Sequence, residues 1–190
     1  MQQNLREFLK SAEANGVLCR VPEKVQREYE ISTFMMELDK AKQHPIVCFE
    51  DVENSDFPVV TNILGCRERF AEGLGVKTEA VAETYAKSIH SRIDEVEVVK
   101  DAPLNAHTIT GEDIDLYKLP ILTHFPIDAG PYVTSGLCVA KDPESGAETL
   151  GFHRMQLKGK DKLGISLHSR QRLWEYFRRS EERGESLKAA

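Results

Sequence analysis

The stretch Gly151-Phe152-His153-Arg154-Met155-Gln156-Leu157 holds the residue types best suited to chemistry. Read as a strand, it places Phe152, Arg154 and Gln156 on one face. The planar guanidinium of Arg154 can clamp a carboxylate through two parallel donors. A solvent-facing strand arginine is the plainer alternative. His124, His153 and His168 have nitrogens suited to metal ligation or proton transfer near neutral pH, although a lone histidine is more often simply hydrogen-bonded in a core or at a surface. Asp128, in Asp128-Ala129-Gly130-Pro131, is read as a turn former through its side chain, and Asp161 as part of a solvated turn. Lys158, Lys160, Lys162, Arg170, Arg172, Arg178, Arg179 and Arg183 make the last third locally basic, suited to a phosphate or to a solvated helix face. Neither a GxGxxG nor a GxxxxGKS/T phosphate loop is present, and neither an HExxH nor a GxSxG sequence.

Elements that could position these residues follow from hydrophobic period. Tyr132–Ala140 and Leu150–Leu157 read as two strands joined by the turn-rich Lys141-Asp142-Pro143-Glu144-Ser145-Gly146. Ahead of them, Thr123–Pro131 has neither a helical nor a strand period, and a loop of that composition feeding a strand pair is a place for a site. A helix over Arg170–Arg183 shows Leu173, Trp174 and Phe177 on its apolar side and Gly184 at its end. Further upstream, Leu5, Phe8, Leu9 and Ala12 mark a helix over Leu5–Asn15, closed by Gly16. A strand over Val17–Val21 stops at Pro22, and a helix covers about Glu28–Lys42. Ile46–Glu50 and Pro58–Asn62 read as strands covered on both faces. Arg67–Leu74 is a short helix closed by Gly75, and Thr78–Ser91 is another, with Thr78 as N-cap and Ala82, Tyr85, Ala86 and Ile89 on one face. From Val96 the pattern changes to Val/Glu alternation and then to prolines, which puts a domain boundary near Asp101–Leu119.

The chain of 190 residues is 41% hydrophobic and 29% charged, enough for a real core in one domain or two small ones. With 25 Lys+Arg against 31 Asp+Glu it offers no general electrostatic case for nucleic acid. No apolar run approaches the ~18 residues of a membrane span, and the N-terminus lacks a signal-peptide core. Cys19, Cys48, Cys66 and Cys138 are scattered without CxxC spacing and are read as reduced thiols of a cytoplasmic protein.

In its ordered matches the chain resembles the UbiD family, the prenylated-flavin-dependent decarboxylases. The resemblance runs from Leu5-Arg6-Glu7-Phe8-Leu9 and Gly16–Val21 through Phe49–Val52, Pro58–Asn62 and Gly65–Arg69. It is most specific in Leu119–His124, Asp128–Tyr132, Lys141–Gly146 and Gly151–Gln156. The resemblance implies an α+β chain: an N-terminal α/β layered domain over residues 1–105, then the start of a split β-barrel flavin-binding domain over 106–190. It implies a lyase that removes a carboxylate from an aromatic or α,β-unsaturated acid, or runs in reverse. Prenylated FMN would serve as electron sink, its phosphate tied through Mn²⁺ and K⁺, and a flavin prenyltransferase would supply it. Arg154 would be catalytic, Gly151, Phe152, His153, Arg154 and Gln171 would approach the cofactor, and the protein would assemble as a homo-oligomer or with a partner subunit.

Two positions depart from the family pattern. Thr149 stands where the family has an asparagine metal ligand, and Arg172 stands near the family's histidine ligand, with His168 off register. A threonine hydroxyl is a weak ligand and an arginine is none. The resemblance also implies an enzyme more than twice this length, with further ligands and acids beyond residue 190, so the chain alone is not expected to decarboxylate. A short non-catalytic paralogue docking on a larger partner is the alternative.

Overall fold

The computed structural model describes residues 4–91, 102 and 106–190. The segment that opens the Val/Glu alternation at Val96 lies outside the described residues. Helices and two three-stranded sheets make the chain α+β. It divides into two compact units, Met1–Gln26 with Glu30–Ile114 and Arg27–Tyr29 with Asp115–Ala190. Among the described residues, no helix is long and apolar enough to cross a membrane.

In the first unit, α1 (Leu5–Ala14) begins where the Asn4 side chain accepts from the Glu7 N–H at 2.9 Å. It ends before Gly16, whose φ of +69° suits a residue without Cβ. β1 (Leu18–Val25) pairs in parallel with β2 (Ile46–Val52), and β2 pairs antiparallel with β3 (Val59–Thr61). β1 does not stop at Pro22. Its register shifts between Val21 and Lys24, and that irregularity accommodates a residue with no N–H to give the ladder. The central strand β2 supplies the core: Ile46, Val47 and Phe49 are fully buried, and Phe49 meets Phe34 of α2 (Glu30–Lys40) edge-on at 5.4 Å. α3 (Arg67–Leu74) is closed by Gly75, as its sequence implied. Its buried Arg69 donates to the carbonyls of Ile63 and Asn62 at 3.1 and 3.2 Å, fixing the loop before it. The helix expected over Thr78–Ser91 is a 3₁₀ turn, Thr78–Ala80, followed by α4 (Val81–Ser88), so Thr78 lies inside the turn and does not cap. Val81 is the buried residue of α4, while Ala82, Tyr85, Ala86 and Ile89 stay exposed.

The second unit is built on β4 (Tyr132–Lys141), β5 (Glu148–Gly159) and β6 (Lys162–Ile165), in that order and antiparallel throughout. Asp142 organises the β4–β5 turn: its carboxylate accepts from Ser145 Oγ at 2.7 Å and from the Glu144 N–H at 3.2 Å. β6 lies in a stretch whose sequence signals only a basic surface. Its four residues are too few to show alternation by themselves. α5 (Arg172–Glu182) starts two residues later than its period suggested, because Gln171 is extended. It buries Leu173, Tyr176 and Ser180, whereas Phe177, assigned to the apolar side, is 43% exposed. Leu173 and Tyr176 pack with Cys138 and Ala140 of β4, and Leu167 and Leu187 flank this cluster.

Candidate functional site

Strand alternation gives the β4–β5 pair two faces of opposite fate. Cys138, Ala140, His153 and Leu157 point to one face and are buried. Leu137, Val139, Leu150 and Phe152 point to the other and are exposed, Phe152 by 70% and Leu150 by 64%. On this open face Leu137 lies opposite Phe152 and Val139 opposite Leu150, so the four side chains form one apolar patch. Arg154 follows Phe152 on the same face, then Gln156, then Lys158.

The loop before β4 is fixed against the far end of this face. Gln156 Nε2 donates to the Ala129 carbonyl at 2.6 Å, and the Leu157 N–H donates to Pro131 O at 3.0 Å. Asp128 acts as the turn former its context implied, its carboxylate accepting from the Phe125 N–H at 2.9 Å. Upstream, Arg27 Nη1 donates to the carbonyls of Tyr117 and Leu119 at 3.0 and 3.1 Å.

The residues singled out from sequence are therefore split. Phe152 and Arg154 share the open face. Thr149, Gly151 and His153 belong to the covered face, on the side where α5 packs. A Cβ on Gly151 would stand 3.1 Å from His153 Nε2, so the bare backbone there lets the buried imidazole lie close. Gln171 is the N-cap residue of α5, with its Oε1 3.5 Å from the His168 N–H. Arg172 is the first residue of that helix and is exposed. Leu137, Val139 and Lys158 were not singled out for the open face. The signal was present in Leu137–Ala140, where both strand phases are apolar although only one can face α5.

The charges of α5 divide along its length. Arg178 pairs with Glu175 at 2.7 Å and with Glu182, and Arg179 pairs with Asp142 at 2.6 Å and with Glu175 at 3.0 Å. Donation from Arg178, and then from Arg179, holds the Glu175 carboxyl down at about 2. Asp142 is also held below its usual range, first by the Ser145 hydroxyl and then by the Glu144 N–H and Arg179. Arg154, Lys158, Arg170 and Arg172 make no ion pair among the described residues.

The same residues test the metal that the resemblance implied. Mn²⁺ takes hard oxygen or imidazole donors. Among the described residues, no group of three His, Cys, Asp or Glu side chains could hold a metal ion. Thr149 offers one weak hydroxyl and Arg172 only donors. Among the described residues, the donor set does not fit a divalent ion.

Comparison with known proteins places this arrangement. The model of the 3-octaprenyl-4-hydroxybenzoate carboxy-lyase N-terminal domain matches residues 9–89, and that of the carboxy-lyase Rift-related domain matches residues 96–190. Anhydromevalonate phosphate decarboxylase of Methanothermobacter thermautotrophicus is 30% identical over 86% of this chain and 38% of its own. The enzyme of that name from Methanosarcina mazei is 31% identical over 97% of this chain and 41% of its own. The chain thus spans about two fifths of these relatives. Among solved structures, the UbiD-class enzyme HmfF from Pelotomaculum thermopropionicum, in complex with FMN, superposes with a TM-score of 0.89 at 36% identity, covering 97% of this chain and 41% of that one. An evolved dimeric form of HmfF in complex with prenylated FMN gives 0.88 at 36% identity, covering 97% of this chain and 43% of that one.

Proposed function

Because the chain belongs to the UbiD carboxy-lyase family, we propose that it is the N-terminal portion of a non-oxidative decarboxylase, or reverse carboxylase, of an aromatic or α,β-unsaturated acid. The observation that carries this reading is the unpaired guanidinium of Arg154 beside the open apolar patch of Leu137, Val139, Leu150 and Phe152. A flavin ring needs an apolar bed and an acid substrate needs a cation, and an apolar patch beside an unpaired guanidinium supports this reading. Prenylated FMN, when bound, supplies the electron sink for loss of CO₂.

This chain's residues then do the binding and orienting. Arg154 holds the carboxylate through paired donors, so the bond to be broken has one orientation. The apolar patch excludes water from the same surface, which strengthens the ion pair. Gln156, tied to Ala129, keeps the Asp128–Pro131 loop beside the bound acid. Gly151 and His153 set the course of the β5 backbone, and Gln171 with Arg172 offers donors for the flavin phosphate at the start of α5. The methanogen relatives are named for a phosphorylated acid, which supports a substrate of that class. A cytoplasmic oligomer supplied with cofactor by a flavin prenyltransferase is the setting in which this chemistry runs.

The test is the native protein isolated from its source cells, with intact mass, flavin absorbance and release of CO₂ from unsaturated acids measured on one preparation. A flavin-bearing species well above 21.5 kDa that decarboxylates supports the reading. A flavin-free native protein of 21.5 kDa removes it. That outcome belongs to the second reading, a non-catalytic subunit docking on a larger partner, which the metal-poor pair Thr149 and Arg172 favours.

A further inference from the structure

The row of backbone pairings at the level of Gln156 is longer than the three-stranded sheet. Gly164 of β6 lies opposite Gln156, and Gln156 lies opposite Tyr132. Tyr132 is bridged in turn by Leu122, whose carbonyl accepts from the Tyr132 N–H at 2.9 Å. Thr123 is then bridged by Glu28. The Tyr29 N–H donates to Thr123 O at 2.9 Å, and the Thr123 N–H donates to Arg27 O at 3.2 Å. Arg27–Tyr29 is thus the outermost member of the row. It groups with the second unit, although the chain on either side of it groups with the first. This excursion is fixed at both ends. Tyr29 takes a φ of +66°, which a side chain of that size rarely adopts. Arg27 Nη1 donates to the carbonyls of both Tyr117 and Leu119. A charged donor here holds backbone, and holds it more firmly than a neutral one would.

The row frames a loop. The chain leaves it at Thr123 and returns at Pro131 and Tyr132, where the Leu157 N–H donates to Pro131 O. Between those points Gln156 Nε2 donates to Ala129 O at 2.6 Å. Gly130, with a φ of +135°, lies so close that a Cβ on it would stand 3.4 Å from the same nitrogen. Gln156 belongs to the open face, so the loop stands at one end of that face. Its returning limb is held by β5. Its leaving limb is held by Arg27–Tyr29.

We propose that Arg27 is a positioning residue for the decarboxylation. It fixes the leaving limb of the 123–131 loop, so that the loop meets the acid on the open face in one arrangement. This deepens the decarboxylase reading above and rests on it. Arg27 acts through the backbone of Tyr117–Thr123 and not by touching the acid. The apolar patch of Leu137, Val139, Leu150 and Phe152 lies toward the other end of the β4–β5 pair, so the flavin bed should not feel its loss.

The experiment joins amide hydrogen exchange on the 190-residue chain to kinetics of the cofactor-loaded enzyme. Arg27→Ala should speed exchange of the Thr123 and Tyr132 amides about tenfold. The Asp142 and Gly146 amides, bonded within the β4–β5 turn, should not change. Arg27→Lys keeps one charged donor and should give intermediate rates; it reads the same amides if the alanine variant does not fold. In the enzyme, Arg27→Ala should raise KM for the acid about tenfold with flavin content and melting temperature unchanged. Arg27→Lys should recover most of that loss. A residue that only supports the fold would lower flavin content, melting temperature and kcat together.

Exchange that quickens equally in the loop and in the β4–β5 turn overturns the positioning role and leaves Arg27 a support of the fold. Local loosening with an unchanged KM overturns its part in the reaction and leaves the decarboxylase reading standing. A flavin-loaded enzyme that releases CO₂ from no unsaturated acid removes that reading, and the role of Arg27 falls with it.

Discussion

The two faces of the β4–β5 sheet are made by the same ten or so residues per strand, yet they are built for different ends. The covered face carries small side chains, Cys138 and Ala140, against Leu173 and Tyr176 of α5. Close packing there stabilises the unit. The open face carries larger apolar side chains, Leu137, Leu150 and Phe152, which no described element covers. A folded chain leaves such a patch exposed when it is a binding surface or the bed for further structure. The strand period of two residues thus separates a packed face from an open one.

That separation can be broken most strongly from the covered side. Leu173→Ala should cost about 3 kcal/mol, read as a fall in the denaturation midpoint, because it leaves a cavity beneath Cys138 and Ala140. A loss below about 1 kcal/mol would mean that α5 is not the main support of the sheet.

From the open side, Arg154→Gln should reduce kcat/KM of the cofactor-loaded enzyme about a hundredfold while leaving the melting temperature unchanged. Equal losses of stability and activity would erase the distinction between the faces.

The ion pairs at the far end of α5 add a pH signature to the covered side. Glu175 and Asp142 have carboxyls depressed in the folded state, so their contribution is complete above the usual carboxylate range. It is lost as the pH falls through the folded values, for Glu175 between about 4.5 and about 2. Asp142→Asn should flatten the acid limb of a stability–pH curve and leave neutral stability less affected than Leu173→Ala does.

The smallest effects should be the metal and the apolar patch. Mn²⁺ should leave the melting temperature of this chain unchanged, and a rise would reveal a seat that Thr149 and Arg172 do not offer. Phe152→Ser should alter stability by no more than about 0.5 kcal/mol, since an exposed side chain gives up little burial. A larger loss would show the open face to be part of the fold's support.

Much of this was legible along the chain. The helical spacing of Leu5, Phe8, Leu9 and Ala12, the glycine stops at Gly16 and Gly75, and the Asp142–Gly146 turn are local, and local sterics decide them. The family matches around Gly151–Gln156 pointed to the strand that carries Arg154. Strand β6 was missed because four residues beside a basic turn carry no readable period. The buried stripe of α5 was misjudged by one residue, Phe177 for Tyr176, since a helix period locates the helix better than its orientation.

The sequence by itself determined most of the helices, the glycine stops at Gly16 and Gly75, the Asp142–Gly146 turn, and that Phe152, Arg154 and Gln156 share a face. These follow from backbone dihedrals and side-chain alternation, which act over a few residues. Only the tertiary structure decided which face of β4 and β5 would be covered, that Gln156 would tie down the Ala129 loop, and that the Lys158 stem would lie over Gly164. Each depends on residues distant in sequence meeting across strands. The physical reason is that both phases of β4 are apolar, so the pattern alone leaves the choice of face open until α5 packs.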